Sequence, residues 1–383
     1  MTDGAVLPLD VTHGTPDQDP GRGRSLWADA RARLLRNRAA LASLVVLALM
    51  TLACLVGPFL TGHAFDRVYP DYVRAPASLS AYPAADQIVP AAERVAARTR
   101  ARAEGVAVEG DTLRLTLVGT RPVDERLLAF FERSDLFGAA RVTARTEEGR
   151  RLAVEVPIER HRFLFGTDAN GRDLLTRSLV AGRVSLAIGL LATAVALLIG
   201  VVYGATAGYL GGRVDLVMMR FVDILYALPF IFFVIMLVVF FGRNFVLMFL
   251  AVGAVEWLDM ARIVRGQALS IRRQEYVQAA EALGVGTGGI LRRHVIPNTL
   301  GPVVVYVTLL VPKVILLESF LSFLGLGVQE PMTSWGVLIA EGAKNIQGAA
   351  WMLIFPSLLL VATLFSLNFI GDGLRDALDP RDR

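Results

Sequence analysis

The residues of this chain that could do chemistry are few, and most of the patterns they make fail on spacing or context. Gly284-Val285-Gly286-Thr287-Gly288-Gly289 satisfies the letters of a dinucleotide fingerprint. That motif works only after a strand, before a helix, and with an acidic residue about 20 positions on to hold a ribose. Here a helical stretch precedes it and an apolar run follows, so nucleotide binding is excluded. A phosphate-cradling loop needs Lys followed by Ser or Thr after a glycine-rich turn. The only lysines are Lys313, between Pro312 and Val314, and Lys344, between Ala343 and Asn345. The chain therefore carries no ATPase motif, and any ATP-driven work must come from a partner. No His, Cys, Asp or Glu set has metal-ligand spacing, and Asp168-Ala169-Asn170-Gly171 lacks the rest of a calcium loop. One cysteine, Cys54, excludes an intramolecular disulfide. No catalytic residue, metal or cofactor is expected.

What remains is a set of charges inside apolar runs. Ionisable groups there are costly and are functional candidates by default. Lys313 and Glu318 either face a polar pathway or reach the interface by snorkelling. Glu256 and Asp259 lie near Arg262, where pairing among themselves is expected, and His294 beside Arg292 and Arg293 reads as solvated or interfacial.

These residues need a membrane to position them. Of 383 residues, 54% are hydrophobic, with a mean hydropathy of +0.52, too apolar for a soluble protein. The net charge of +4 gives no case for a nucleic-acid partner. A span needs roughly 20 apolar residues. Ala39 to Phe65 has no charged residue, nor do the stretches between Arg183 and Arg213, Asp223 and Arg243, and Lys344 and Asp372. Two further spans, about Asn244 to Ala261 and Thr299 to Phe323, carry charges. The expected fold is an all-α polytopic membrane protein with six transmembrane helices. Arginines crowd the first 38 residues, the turn from Gly211 to Arg220, the loop from Arg262 to Arg293 and the tail, which puts both termini in the cytoplasm. The first apolar run is read as a retained anchor, because its approach and length exceed those of a signal peptide. Residues 1 to about 20 read as disordered.

The organisation is then a cytoplasmic segment, 1–38, a first helix, 39–62, a periplasmic insertion, 63–160, and a core, 161–383, with a cytoplasmic loop at about 263–300. Within the insertion Leu113, Leu115 and Leu117 alternate with Arg114 and Thr116, a half-buried strand. Val123 to Phe137 has one apolar helical face, and Val142 to Thr146 and Leu152 to Val156 flank a hairpin turn at Glu147 to Arg150. A small β-α-β-β module is expected, serving as a spacer or as a docking site.

Ala192, Ala196, Gly200, Gly204, Gly208 and Gly212 recur every four residues, a stripe that lets another backbone approach. The pattern fits a subunit interface and intrachain packing equally. In the cytoplasmic loop, Glu275 to Leu283 forms a short helix ended by Gly284, suited to a left-handed cap. Ile290 to Ile296 is expected as a second short helix, stopped by Pro297-Asn298. Such a compact pair, low in profile at Ala279, Ala280 and Ala282 and flanked by arginine, suits docking into a groove of another protein.

Gln278-Ala279-Ala280, Gly284 and then His294-Val295-Ile296-Pro297 resemble the EAA loop of binding-protein-dependent ABC importer permeases. Gln278 stands where the motif has Glu, and His294 where it has Ile. Phe165-Gly166-Thr167-Asp168 with Gly171-Arg172-Asp173, Val222 to Pro229, Ser322 to Gly327, and Gly371 to Pro380 are similar to the dipeptide, oligopeptide and nickel permease branch. Trp257 to Gln267 is closest to its C-type oligopeptide subunits. The resemblance covers residues 31 to 62 and 160 to 383 and leaves out the module from about 90 to 159. It implies a type I ABC importer core, a second permease forming a heterodimer, two cytoplasmic ATPase subunits that bind ATP and Mg, and a periplasmic peptide-binding protein. It also implies a bacterial inner-membrane location and oligopeptide import, with dipeptides, nickel chelates or glutathione as alternatives. Coupling to the ATPases falls on Glu275, Tyr276, Gln278, Ala279, Ala280, Leu283, Gly284, Arg293, His294 and Pro297; helix packing falls on Gly200, Gly204, Gly208 and Gly212. Two other classes fit less well. A membrane sensor with a periplasmic ligand module would need an output domain, and an ion-coupled transporter favours internal repeats. The arginine distribution makes a direct prediction: on a Cys54→Ser background, a cysteine at position 287 is labelled only from the cytoplasm and one at position 104 only from the periplasm.

Overall fold

The computed structural model describes residues 26–242 and 245–378. The N-terminal stretch read as disordered lies outside them. In chain order the elements are α1 (Leu26–Arg36), α2 (Arg38–Leu60), α3 (Ala85–Arg98), β1 (Ala101–Glu109), β2 (Thr112–Gly119), α4 (Ala129–Glu132), β3 (Arg141–Thr146) and β4 (Arg151–Pro157). Helices follow: α5 (Leu174–Leu210), α6 (Gly212–Ala227), α7 (Phe230–Phe241), α8 (Phe245–Ile271), α9 (Glu275–Ala282), α10 (Thr287–Ile290), α11 (Ile296–Phe323), α12 (Trp335–Lys344) and α13 (Trp351–Leu378). The chain is mostly helical. Among the described residues, four helical stretches are long and apolar enough to cross a membrane: Arg38–Leu60, Leu174–Leu210, Thr287–Phe323 and Trp351–Leu378.

The stretch expected as an unbroken span between Asp223 and Arg243 is divided. α6 and α7 meet at an angle of 80°. Pro229 is the cause, since it has no N–H to continue the ladder and forces the residue before it out of the helical region; Leu228 is extended, at φ −73° and ψ 129°. The segment from Gly211 to Arg220, expected as a turn, is instead the start of α6. α8 is 27 residues long and so outruns its expected end at Ala261 by almost three turns.

Another proline is repaired rather than left as a break. Pro58 inside α2 cannot donate to the Cys54 carbonyl one turn back. Arg183 of α5 takes its place: Nε donates to Cys54 O and Nη2 to Leu55 O, both at 2.6 Å, and the guanidinium lies 5.2 Å from the Phe59 ring centre.

The glycine stripe decides between its two readings. A Cβ on Gly200 would sit 2.6 Å from the Met260 side chain and 2.9 Å from the Trp257 carbonyl; on Gly208, 2.6 Å from the Arg265 carbonyl. On Gly204 it would run into the Ala261 carbonyl. From the other side, Gly253 of α8 approaches Val195 and the Ala192 carbonyl of α5. The stripe is an intrachain seam between α5 and α8. Gly212 does not belong to it: α5 ends at Leu210, Gly211 caps it with φ +63°, and a Cβ on Gly212 would meet nothing.

The insertion is richer than the β-α-β-β module expected. It is a four-stranded antiparallel sheet in the order β1-β2-β4-β3, with α3 packed on it. Leu113, Leu115 and Leu117 of β2 face inward as their alternation requires, against Leu152, Val154 and Val156 of β4 and Ile88 and Ala92 of α3. β1 and α3 went unforeseen. β1 is an edge strand with only Ala101 buried, and its small and charged residues carry no apolar alternation. The helix expected over Val123 to Phe137 shrinks to a 3-10 turn, Glu125–Leu128, and the single turn of α4, enough to bury Leu128 and Phe131. The base of the module is aromatic, with Tyr69, Tyr72 and His161 around Phe163. Burial lowers the His161 pKa, so the ring is neutral at pH 7 and its Nε2 donates to the Asp135 carbonyl at 3.1 Å.

The seam yields a prediction. Gly204→Leu must separate α5 from α8, at a cost above the about 1–3 kcal/mol of ordinary overpacking, because the obstacle is backbone. The yield of folded, monodisperse protein from membranes should collapse, whereas Gly266→Leu, at an exposed helical position where a Cβ meets nothing, should assemble close to the wild-type level.

Candidate functional site

Two places carry functional geometry, joined by α8. The first is the loop that follows it. Gly284 adopts φ +79°, the Val285 N–H donates to Ala280 O at 3.1 Å, and the Gly284 N–H donates to Glu281 O at 3.0 Å. This is the paired pattern of a Schellman cap, closing α9 with a residue that favours glycine. A Cβ on Gly284 would meet nothing, so the requirement is one of backbone conformation alone.

α9 is seated by one face and free on the other. Val277 and Ala280 are buried in the main core with Ala268 and Ile271 of α8 and Tyr209 of α5. Tyr209 Oη donates to Glu281 Oε1 at 2.8 Å, and Arg272 Nη1 to the Leu210 carbonyl at 3.0 Å. Glu275, Gln278 and Ala279 are exposed, Tyr276 keeps 44% of its surface and Leu283 84%. Ala280, expected on the docking face, points inward at 7% exposure; the free stripe is Tyr276, Ala279 and Leu283, at helical spacing.

The second short helix does not stop at Pro297. α10, a π-turn over Leu291–Val295 and α11 run on as one helical stretch into the apolar core. Pro297 falls in the first turn after the wider π-turn, where its missing N–H is tolerated. Asn298 Nδ2 donates to the His294 carbonyl at 2.6 Å. Arg293 and Pro297 are exposed, and the partly buried His294 ring lies 6.1 Å from that of Tyr276.

The second place is a cavity of about 880 Å³ at the break between α6 and α7, walled also by α8 and α11. Lys313 neither snorkels nor stands alone. Its Nζ donates to Glu256 Oε2 at 2.8 Å and Asp259 Oδ2 at 3.2 Å, and all three line the cavity. Arg262, expected to pair with these carboxylates, instead meets Asp223 at 3.0 Å and stacks over Tyr226 at 4.3 Å. Arg265 makes a two-pronged pair with Asp215, at 2.5 and 2.7 Å, tying α8 to α6. Glu318 has no access to the cavity. It is fully buried, accepting from Ser322 Oγ at 2.7 Å and Ser185 Oγ at 3.4 Å, where α5, α11 and α12 meet.

A third cluster escaped the reading of the sequence. Asp168, 1% exposed, accepts from Arg172 Nε at 2.8 Å, from its N–H at 2.9 Å and from Arg177 Nη1. Arg177, equally buried, also reaches Glu341 Oε2 of α12 at 3.4 Å. Asp173 caps α5 by accepting from the Thr176 N–H at 2.7 Å. Around them Gly166 and Gly171, at φ +77° and +81°, press against Ala75, Trp351 and Tyr69. The cluster clasps the segments that enter and leave the module to α5, α12 and α13. Its signal was present as acidic and basic residues four and nine positions apart, though pairing across elements is not visible in spacing.

Residues 200–383 match the family described as binding-protein-dependent transport system inner membrane component. Residues 25–77 match the N-terminal TM domain of oligopeptide transport permease C. The chain is 45% identical over 361 residues to the oligopeptide transport system permease protein OppC of Escherichia coli K12, covering 94% of this chain and 93% of that protein. It is 42% identical over 361 residues to the protein of the same name from Haemophilus influenzae, covering 94% and 90%. It is 47% identical over 220 residues to the dipeptide transport system permease protein DppC of Bacillus subtilis, covering 57% and 69%.

The clasp is testable on its own. Asp168→Asn leaves a buried guanidinium short of its counter-charge, a loss of about 3–5 kcal/mol. The thermal unfolding midpoint of the purified protein should fall, and Asp168→Asn with Arg177→Met should recover part of the difference.

Proposed function

The chain belongs to the binding-protein-dependent inner-membrane permeases, in their OppC-type branch, and from that membership we propose that it forms half of the pathway of an ATP-driven oligopeptide importer. In this reading six spans cross the membrane, α8 among them and the bent α6–α7 pair counted once, with both termini on the cytoplasmic side and the four-stranded module in the periplasm. A second permease completes the pathway, a soluble peptide-binding protein delivers the substrate, and two ATPase subunits bind ATP and Mg; this chain holds no cofactor, catalyses no reaction and binds no nucleic acid. The dipeptide-transporting relative supports dipeptides as a second reading of the substrate.

One observation carries the reading: a short helix, held from behind and capped by a left-handed glycine, leaves Tyr276, Ala279 and Leu283 exposed on its outer side. When ATP closes the ATPases, their groove moves α9. Because Val277 and Ala280 are packed against α5 and α8, and Glu281 is bonded to Tyr209, the displacement reaches both helices as a rigid unit. α8 carries Glu256 and Asp259 at the cavity, so docking at one end and access at the other are biased by one moving element.

Gly284 separates backbone conformation from bulk. In the complete importer, Gly284→Val should cost about 1–3 kcal/mol at the cap and abolish peptide uptake. Gly284→Asn, which tolerates the left-handed region, should retain most of it. Ala279→Arg should prevent co-purification of the ATPases while the two permeases still pair. Wild-type uptake in both the Val and Arg variants, or ATP hydrolysis by this chain purified alone, would overturn the assignment.

A further inference from the structure

We propose that the cavity at the α6–α7 break is a transit subsite for the α-ammonium group of a peptide, received between Glu256 and Asp259 in the place that Lys313 Nζ now fills. The proposal rests on the peptide-importer reading and assigns the contact that reading leaves open.

Three observations converge on a cation. The first is a charge count. Two carboxylates face one ammonium, and Arg262, one turn beyond Asp259 on α8, is engaged by Asp223. Carboxylates outnumber ammonium groups there, in a setting where an uncompensated charge is costly. The second is backbone polarity. Leu225 to Ala227, at the C-terminus of α6, and the extended Leu228 line the same cavity, where the helix ladder stops at Pro229. A helix C-terminus carries partial negative charge and favours a cation, and this one adds to the two carboxylates. The third is the state of the occupant. Glu256 keeps 5% of its side-chain surface, whereas Lys313 keeps 51% on a flexible stem. The acceptor is fixed and its present partner is free to swing away, so an arriving ammonium can exchange with Nζ without either carboxylate being left bare.

The rest of the cavity suits what lies behind that ammonium. Its volume, about 880 Å³, is in the range of ligand sites, roughly 300–1,000 Å³. Phe230, Phe233, Leu316 and Phe320 provide apolar walls that accept side chains of any shape and specify none. Every peptide with a free amino terminus carries the group the site recognises, so the contact is indifferent to sequence.

The test places a reporter on the wall and leaves the three charges intact: Leu316→Cys on a Cys54→Ser background, in the complete importer in proteoliposomes. An ethylammonium methanethiosulfonate should label position 316 at least five-fold faster than an ethylsulfonate one, and adding Asp259→Asn should bring that ratio close to one. Millimolar trialanine should slow labelling at least three-fold, and N-acetyl-trialanine at the same concentration should not. Equal protection by both peptides, no protection by either, no charge preference, or no labelling at all would each overturn the proposal. Trialanine uptake by the importer with its own binding protein is measured in parallel. Uptake without differential protection sinks the ammonium subsite alone, and absence of uptake of tri-, tetra- and pentapeptides sinks the oligopeptide reading.

Discussion

The approach of α5 to α8 is set by what their side chains lack. Gly200, Gly204 and Gly208 lie against carbonyls of Trp257, Ala261 and Arg265, and Gly253 returns the contact from the other helix. Apolar surroundings do not drive such an association; dispersion between closely packed backbones does, and it falls off steeply with distance. Both functional places hang on that contact. α8 delivers Glu256 and Asp259 to the cavity near its middle and, at its end, Ala268 and Ile271 to the floor on which α9 sits. A displacement of a few ångströms between α5 and α8 would misplace both at once.

The charges inside the helical core illustrate two different solutions to one cost. Glu318 is satisfied permanently, by serines on its own helix and on α5, and it is sealed from solvent. Lys313, Glu256 and Asp259 are satisfied by one another and remain open to a cavity. The first arrangement fixes a junction of three helices. The second keeps its ions available, at the point where Pro229 has already broken the backbone ladder.

What the sequence makes legible depends on whether the determining contact is local. The cap at Gly284 could be read from a run of good helix formers ending in glycine, and β2 from the alternation of Leu113, Leu115 and Leu117, because both are local in the chain. The partner of the glycine stripe could not, since the spacing specifies closeness without identity. The inward face of Ala280 is not legible, because one residue of helical phase turns a position by about 100° and alanine is too small to mark its own side. Pro297 was read as a stop because a proline ends a helix unless the turn before it widens, and nothing in Leu291 to Val295 announces a π-turn. Lys313 found Glu256 57 residues away, a pairing that only the packing of α8 on α11 supplies.

The repair of α2 by Arg183 has a consequence for the order in which the molecule is made. The carbonyl that Pro58 abandons and the guanidinium that satisfies it stand 129 residues apart, with the whole sheet-bearing module between them. During synthesis α2 therefore emerges as an unfinished element, with a bare acceptor on its flank until the module has been passed over and α5 has begun. The defect works as a placeholder: it marks on α2 the one face and the one height at which α5 belongs, and it is closed only by the helix that fits there.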